Sequence, residues 1–325
     1  MSTRDREGDS MFDVIVVGGG PTGLSAALAL GRARRSTLVL DSGDYRNAPS
    51  AAVHNLLTRD GTPPDEVRRI AREQLAAYPA VEIRDVAAED AAGSQEDGFE
   101  VRLGDGSAVS ARRLLLATGL TDELPAIDGL ARLWGRGAYH CPYCHGYELR
   151  DTPIAVLGGT SDRVELALHL RRFSDDVVLC TDGEPAYDEA DTRLLETHGV
   201  TVATERVARL HGGDNGLESV EFADGSVLAR SAIFVKSVLR QRSRLPERLG
   251  CATLDDGTVE INEFCQTSVS GVYAAGDMAR RATFPVPAAA VVAAVAGGTI
   301  AAIVIDKELL WTDVKLTAPI SGVRS

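Results

Sequence analysis

Cys141 and Cys144 stand three residues apart in the run His140-Cys141-Pro142-Tyr143-Cys144-His145-Gly146-Tyr147-Glu148. Two thiols at i and i+3 can meet in the first turn of a helix, and Pro142 suits an early helical position because its missing N–H would be unpaired there anyway. The positive end of such a helix would favour a thiolate. A pair of this kind can cycle between dithiol and disulfide, one cysteine exchanging with an external sulfur and the other closing the ring. His145 directly follows the second cysteine, and an imidazole titrating near neutral pH can take a proton from a thiol and return it. His140 is the weaker candidate. The two Cys and two His of this run are also the raw material of a zinc site. Adjacent His-Cys and Cys-His ligands strain tetrahedral geometry, however, and no second Cys-x-x-Cys or His-x-x-x-His occurs, so no metal is expected.

The elements that must hold this centre read as a repeat. The apolar strand Phe12 to Val17 runs into Gly18-Gly19-Gly20-Pro21-Thr22-Gly23, followed by the helical spacing of Leu24, Ala27, Leu28 and Leu30. In this pattern Gly18 allows a tight turn, Gly20 lets the backbone approach a pyrophosphate, and Gly23 lets helix and strand pack closely, with the helix N–H groups facing phosphate. Asp41, at the end of the next strand, is placed to accept hydrogen bonds from a ribose. Arg46-Asn47 and then His54 follow on a loop, and the His54 ring can point at a ring system. The same grammar returns at Ile154 to Leu157 with Gly158-Gly159-Thr160, then Val164, Leu166, Leu168 and Leu170. Each copy is followed by an Asp-Gly hairpin, Asp105-Gly106 and Asp224-Gly225, leading into a strand.

The copies differ where a nucleotide would bind. The second has Thr160 and Arg163 where the pattern wants glycine or another small residue, and its second strand ends in Thr181-Asp182-Gly183-Glu184 without an arginine for a 2′-phosphate. This predicts poor NADPH binding. The fold expectation is α/β: two tandem Rossmann-like three-layer domains, with 125–251 inserted between 1–124 and 252–325.

Composition narrows the class of partner. A chain of 325 residues, 44% hydrophobic and 25% charged, is a folded protein of about two domains. A net charge of −13, with no basic run interleaved with aromatics, argues against nucleic acid. Met1 to Ser10 has no apolar stretch resembling a secretory signal, and three of the five cysteines (180, 251 and 265) are isolated, so a cytoplasmic protein is expected. Val286 to Ile305 is uncharged and long enough for a bilayer. Its content of alanine and glycine favours instead a buried, closely packed helix and no membrane association. His169, His198 and His211 read as surface residues without partners.

Several of these pieces resemble the low-molecular-weight thioredoxin-reductase-like flavoproteins over nearly the whole chain: Gly18 to Gly23, Ala117-Thr118-Gly119, the Cys141/Cys144 pair, and Gly271 to Gly276-Asp277. The resemblance implies FAD in the first domain, with Asp277 near the ribityl and pyrophosphate region, a helix N-terminus facing the flavin, and a homodimer. Thioredoxin reductases usually place Asp after the second cysteine and Gln-Ala beside the flavin. Here His145 and Pro287-Ala288 stand instead. Arg46-Asn47 with a following His, together with Cys-Pro-x-Cys-His-Gly, is more similar to the dithiol oxidases that form disulfides in natural products of the gliotoxin and holomycin type. That branch implies a small-molecule dithiol substrate attacking Cys141, His145 deprotonating the thiol, Cys144 passing electrons to the flavin, and dioxygen as acceptor. A reductase acting on a thioredoxin-like protein with NAD(P)H or another donor is the alternative. A flavin-holding redox sensor without turnover is a third reading.

Overall fold

The computed structural model describes residues 11–315. The chain runs β1 (Phe12–Val17), α1 (Pro21–Arg32), β2 (Thr37–Leu40), α2 (Pro64–Leu75), β3 (Val81–Arg84), β4 (Ala88–Ser94), β5 (Gly98–Leu103), β6 (Ala108–Leu116) and β7 (Leu120–Glu123). It continues through α3 (Leu130–Leu133), β8 (Ala138–Tyr139), α4 (Pro142–His145), β9 (Ile154–Leu157), α5 (Ser161–Leu170), β10 (Val177–Cys180), α6 (Glu189–Thr197) and β11 (Thr201–Ala203). Then come β12 (Val207–Gly213), β13 (Gly216–Phe222), β14 (Val227–Ala229), β15 (Ala232–Phe234) and β16 (Val238–Gln241). The last elements are α7 (Leu245–Leu249), β17 (Val259–Glu260), β18 (Val272–Ala274), β19 (Ala279–Arg280) and α8 (Val291–Asp313).

Contacts divide the chain into two compact units. Of the described residues the first takes 11–46, Asp65–Thr121 and 239–315; the second takes Asn47–Pro64 and Asp122–Val238. The chain thus returns at 239 rather than at the expected 252, because Leu239, Leu245, Leu249 and Cys251 pack into the first unit's core. Asn47–Pro64 differs from expectation too. This loop packs with the second unit, where a Cβ on Gly135 would lie 2.8 Å from Pro49.

In the first unit the sheet order is β3-β2-β1-β6-β5-β4, with β18 also pairing β6. The strands β1, β2, β3, β6 and β18 are parallel, whereas β4, β5 and β6 form an antiparallel meander. Alternate residues of a strand face opposite sides. Accordingly Val14 and Val16 pack under α1 and α8 with Leu24, Leu30, Ala301 and Ile305, while Ile15 and Val17 pack against Phe99 and Val101. Both faces are covered, which is why β1 reads as a continuous apolar run.

The second unit repeats this plan. Its parallel sheet has the order β11-β10-β9-β15-β8, beside an antiparallel β12-β13-β14 sheet. Ile154 and Val156 face Val164, Leu170 and Leu195, and Ala155 and Leu157 face Leu210, Val220 and Phe222. The two Asp-Gly hairpins are near copies. Asp105 Oδ1 accepts from the Ser107 N–H at 2.9 Å and Asp224 Oδ1 from the Ser226 N–H at 2.8 Å, with Gly106 at φ 86° and Gly225 at φ 85°.

The apolar stretch expected to be helical from Val286 starts its helix only at Val291. Pro285 and Pro287 lack the N–H groups a helix needs and push the residues before them toward extended backbone. The helix is buried along one face only, through Ala294, Gly298, Ala301, Ala302, Ile305 and Leu309. At its far end Arg35 binds Asp306 at 2.7 Å and Asp313 at 2.8 Å, and Arg112 bridges Asp313 to Asp13. Among the described residues no helix is long and apolar enough to cross a membrane. Gly298 brings α8 onto α1: a Cβ there would lie 2.1 Å from the Thr22 carbonyl oxygen. Gly298→Ala is therefore expected to destabilise the protein by about 1–3 kcal/mol despite alanine's better helix propensity, read as a lower urea midpoint. An unchanged or higher midpoint would show that the two helices can separate without cost.

Candidate functional site

In the first unit, the ends of the parallel strands bring the expected glycine turn together with two remote segments. Gly18 has φ 117° and would place a Cβ 2.3 Å from the Ala117 carbonyl oxygen; a Cβ on Gly23 would lie 1.8 Å from the Gly18 oxygen. Neither position admits a side chain. Gly20 is different, since nothing lies within 4 Å of its would-be Cβ, so the backbone there is bare and approachable. Gly20 caps α1 without a side-chain hydrogen bond, Pro21 opens the helix, and its first turn holds no acid. Gly276, at φ 79°, closes on Thr22, with a would-be Cβ 2.3 Å from the hydroxyl. Next to it Asp277 accepts from Arg46 Nη1 at 3.0 Å. Thr118 donates to Met278 Sδ at 3.3 Å, and Gly119 takes φ 70°. A bare glycine cradle with unpaired helix N–H groups is what a pyrophosphate needs, so these residues fit FAD.

Asp41 lies at the expected strand end but is only 2% exposed, beneath Gly19. Tyr45 Oη donates to its Oδ2 at 2.6 Å, Arg72 Nη2 at 2.5 Å, and the Gly43 N–H to Oδ1 at 3.0 Å. Burial pushes its carboxyl up, but these donors more than offset that and hold it below the usual range. Burial and Asp41 together push Tyr45 up to about 12. The Asp41 carboxylate is therefore engaged by Tyr45 and Arg72, and Arg68 lies over the Tyr45 ring at 3.8 Å. The sequence did not single out Arg68 and Arg72, because α2 reaches β2 only through the tertiary fold, nor Tyr45, four residues past Asp41. Pro287 and Ala288 lie in the non-helical stretch before α8.

The corresponding turn of the second unit has Thr160, the N-cap of α5, in place of the bare Gly20. A Cβ on Gly159 would lie 3.2 Å from both Pro185 Cα and Thr181 Cβ, and the Ala186 N–H donates to the Gly159 oxygen at 2.7 Å. Arg163 Cγ would lie 3.0 Å from a Cβ on Gly158. Asp162 sits in the first turn of α5. Burial pushes its carboxyl up, but Thr160, Lys236 and Arg163 outweigh this and hold it far below the usual range. The carboxylate at this helix start is thus paired with two cations, Arg163 and Lys236, each at 2.9 Å.

The cysteines also lie in the second unit. Cys141 and Cys144 are joined as a disulfide with Cα atoms 5.3 Å apart. Cys141 caps α4 and Pro142 opens it, as the spacing predicted. The helix has only four residues, so its dipole offers a thiolate less than a full helix would. His145 departs from expectation. Burial, with the charges of His140 and His54, pushes it down to about 4, so it is neutral at neutral pH. Its ring stacks on Tyr139 at 4.3 Å, and its buried Nδ1 has no hydrogen-bond partner. His140 stacks on Trp134 at 5.7 Å.

The second unit also holds Asn47 and His54, which were expected beside the cofactor. His54 lies between two carboxylates, Asp60 Oδ1 at 3.6 Å from Nδ1 and Glu148 Oε1 at 3.5 Å from Nε2. Two histidines expected to lack partners have them. His169 sits between Tyr143 at 5.0 Å and Phe173 at 6.1 Å, and His211 Nε2 meets Glu221 Oε2 at 2.6 Å. His198 is exposed at the end of α6. Among the described residues no three His, Cys, Asp or Glu side chains group as metal ligands.

Comparison with known proteins agrees with this geometry. Residues 12–297 match the family model described as pyridine nucleotide-disulphide oxidoreductase. Thioredoxin reductase tcpT of Claviceps purpurea is 35% identical over 284 residues, 82% of this chain and 87% of that protein. Thioredoxin reductase sirT of Leptosphaeria maculans is 31% identical over 96% of this chain and 98% of its own. A crystal structure of HlmI is 40% identical, with a TM-score of 0.87 and 94% of both chains covered.

Proposed function

Because the chain belongs to the pyridine nucleotide-disulphide oxidoreductases, in their thioredoxin-reductase-like branch, and is thereby an FAD-dependent disulfide oxidoreductase, we propose that it oxidises a small-molecule dithiol to a disulfide with dioxygen as acceptor. The observation that carries this direction is the contrast between the two glycine turns. Gly20, the N-cap of α1, is open, whereas the equivalent N-cap of α5 is Thr160, whose hydroxyl meets the Asp162 carboxylate, and Arg163 stands where the first turn has Gly23. On this reading a second turn lined by Thr160 and Arg163 receives nicotinamide poorly, and the electrons come from sulfur.

Bound FAD would supply the two-electron acceptor that returns the cysteine pair to its disulfide. Gly18, Gly20, Pro21, Thr22 and Gly23 would hold its pyrophosphate, with Asp41 at the ribose and Arg46, Ala117, Thr118, Gly119, Gly276 and Asp277 around the rest. Pro287 and Ala288 precede the helix that would face it. Asn47 sits at the start of the loop that carries His54 toward the cysteines. Cys141 would receive the substrate sulfur and Cys144 would leave as thiolate. With the His140 ring stacked on Trp134 and the His145 ring on Tyr139, the residues flanking the pair are held among aromatic rings, a setting suited to an uncharged substrate.

The names of the relatives favour a second reading, reduction of a thioredoxin-like protein at the expense of NAD(P)H. One experiment separates the two. Under anaerobic conditions a dithiol is expected to bleach the flavin within seconds while NADPH and NADH at micromolar levels leave it yellow, and readmitted dioxygen should restore the colour with formation of hydrogen peroxide. Rapid bleaching by either nucleotide would retire the oxidase reading. A reducing compartment is consistent with Cys180, Cys251 and Cys265 standing as free, buried thiols. A homodimer, implied by the resemblance, would cover the apolar row Val292, Ile300, Ile303 and Leu310 on α8, each 41% to 47% exposed.

A further inference from the structure

We propose that the proton of the incoming thiol is taken by His54, held between Glu148 and Asp60, rather than by His145. This rests on the reading of Cys141–Cys144 as the site of thiol attack. A base at neutral pH needs surroundings that support its protonated form. His145 lacks them: its Nδ1 is buried without a partner, and the charged groups near it are two other imidazoles, His140 and His54. Around His54 stand Asp60 from its own loop, and Glu148 and His145 from the cysteine segment.

The loop is built to keep His54 at this place. Val53 and Thr62 close it, the Val53 N–H donating to the Thr62 oxygen at 2.8 Å and the Gly61 N–H to the Val53 oxygen at 2.9 Å. The Asn55 N–H donates to Asp60 Oδ1 at 2.8 Å, which fixes the carboxylate facing His54 Nδ1. Asn55, in the left-handed region at φ 60°, sends its Nδ2 to the carbonyl oxygen of Tyr143, between the two cysteines, at 2.7 Å. His54 is therefore tied to the cysteine segment at both ends, at Tyr143 through its neighbour and at Glu148 through its own ring. At 3.5 Å and 3.6 Å neither ring nitrogen is locked in a full hydrogen bond. One nitrogen can turn to a thiol while the other keeps its carboxylate.

The chemistry balances. A substrate thiol gives its proton to His54, its sulfur bonds to Cys141 Sγ, and the Cys141–Cys144 bond breaks with its electron pair left on Cys144. The second substrate thiol then gives its proton to the Cys144 thiolate, and its sulfur attacks the first substrate sulfur. Cys141 departs with the electron pair of the mixed disulfide and takes up the proton held by His54. Two electrons and two protons leave the substrate, which becomes a disulfide as the enzyme disulfide becomes a dithiol.

The test is exchange of the holoenzyme disulfide with dithiothreitol, followed by acid quench and alkylation over about pH 5 to 9. His54→Asn and His54→Gln are expected to slow exchange about 10²-fold at neutral pH and to remove an inflection from the pH profile. The deficit should close at alkaline pH, where the reagent brings its own thiolate. Glu148→Gln should slow exchange less, and His145→Asn should keep the inflection. Three outcomes would overturn the assignment: an unchanged profile in the His54 variants, a loss equal at every pH, which marks a purely structural loop anchor, or an inflection that leaves with His145 instead. The readout stops at sulfur exchange. Normal exchange without oxygen uptake would end the oxidase reading and leave the role of His54 standing.

Discussion

Serine at Cys141 or Cys144 is expected to lower dithiol-driven oxygen uptake by roughly 10³-fold or more while the protein stays folded and yellow. Both sulfurs are needed, because the disulfide is the group that accepts the substrate's electrons and a hydroxyl neither forms that bond nor leaves as readily. The fold should be indifferent. The pair occupies one short turn whose hydrogen bonds, from the Cys144 N–H to the Cys141 oxygen and from the Gly146 N–H to the Pro142 oxygen, are backbone to backbone. The two variants should differ in what they retain. With Cys144 replaced, the free Cys141 can still form a mixed disulfide, visible as added mass after oxidation with the substrate disulfide. With Cys141 replaced, no such adduct should form. Turnover within tenfold of the unmodified enzyme in both variants would remove the cysteines from the chemistry.

Valine at Gly20 should give a folded but colourless protein. The backbone at Gly20, φ −77° and ψ −174°, is one that valine adopts freely, and no protein atom lies within 4 Å of the new Cβ. The only thing the side chain can meet is whatever approaches this stretch of bare backbone. If that is the pyrophosphate of FAD, a steric cost of about 3 kcal/mol lowers cofactor affinity about 10²-fold. Flavin absorbance of the purified protein, with circular dichroism as the control for folding, reads the result. Gly23→Ala is the contrasting case, since its Cβ would strike the Gly18 oxygen at 1.8 Å and the fold itself should suffer. A Gly20→Val protein that keeps a full complement of flavin would show that the cofactor lies elsewhere.

Much of this was legible without coordinates, for a definable reason. The turn Gly18 to Gly23, the strand Phe12 to Val17 and the two Asp-Gly hairpins are local: their demands on φ, on alternation and on close approach fall on neighbouring residues. The disulfide turn was local as well, with Pro142 between the cysteines. Local reading failed where distant segments decide a residue's surroundings. Asp41 was seen as a ribose acceptor without Arg72 and Tyr45, and His145 as a near-neutral base without the burial that lowers it. The helix expected from Val286 was displaced by Pro285 and Pro287, a signal that was present in the residues and outweighed by the length of the apolar run.

Residue order alone determined the duplicated nucleotide-binding plan, the thiol pair and the loss of glycines in the second copy, because each follows from spacing within one turn or one strand. Only the tertiary structure decided that Lys236 reaches Asp162 at the second turn, and that the Asn47–Pro64 loop carries His54 to Glu148, four residues past Cys144. Those arrangements depend on packing between segments tens of residues apart, which spacing within one turn or strand does not encode.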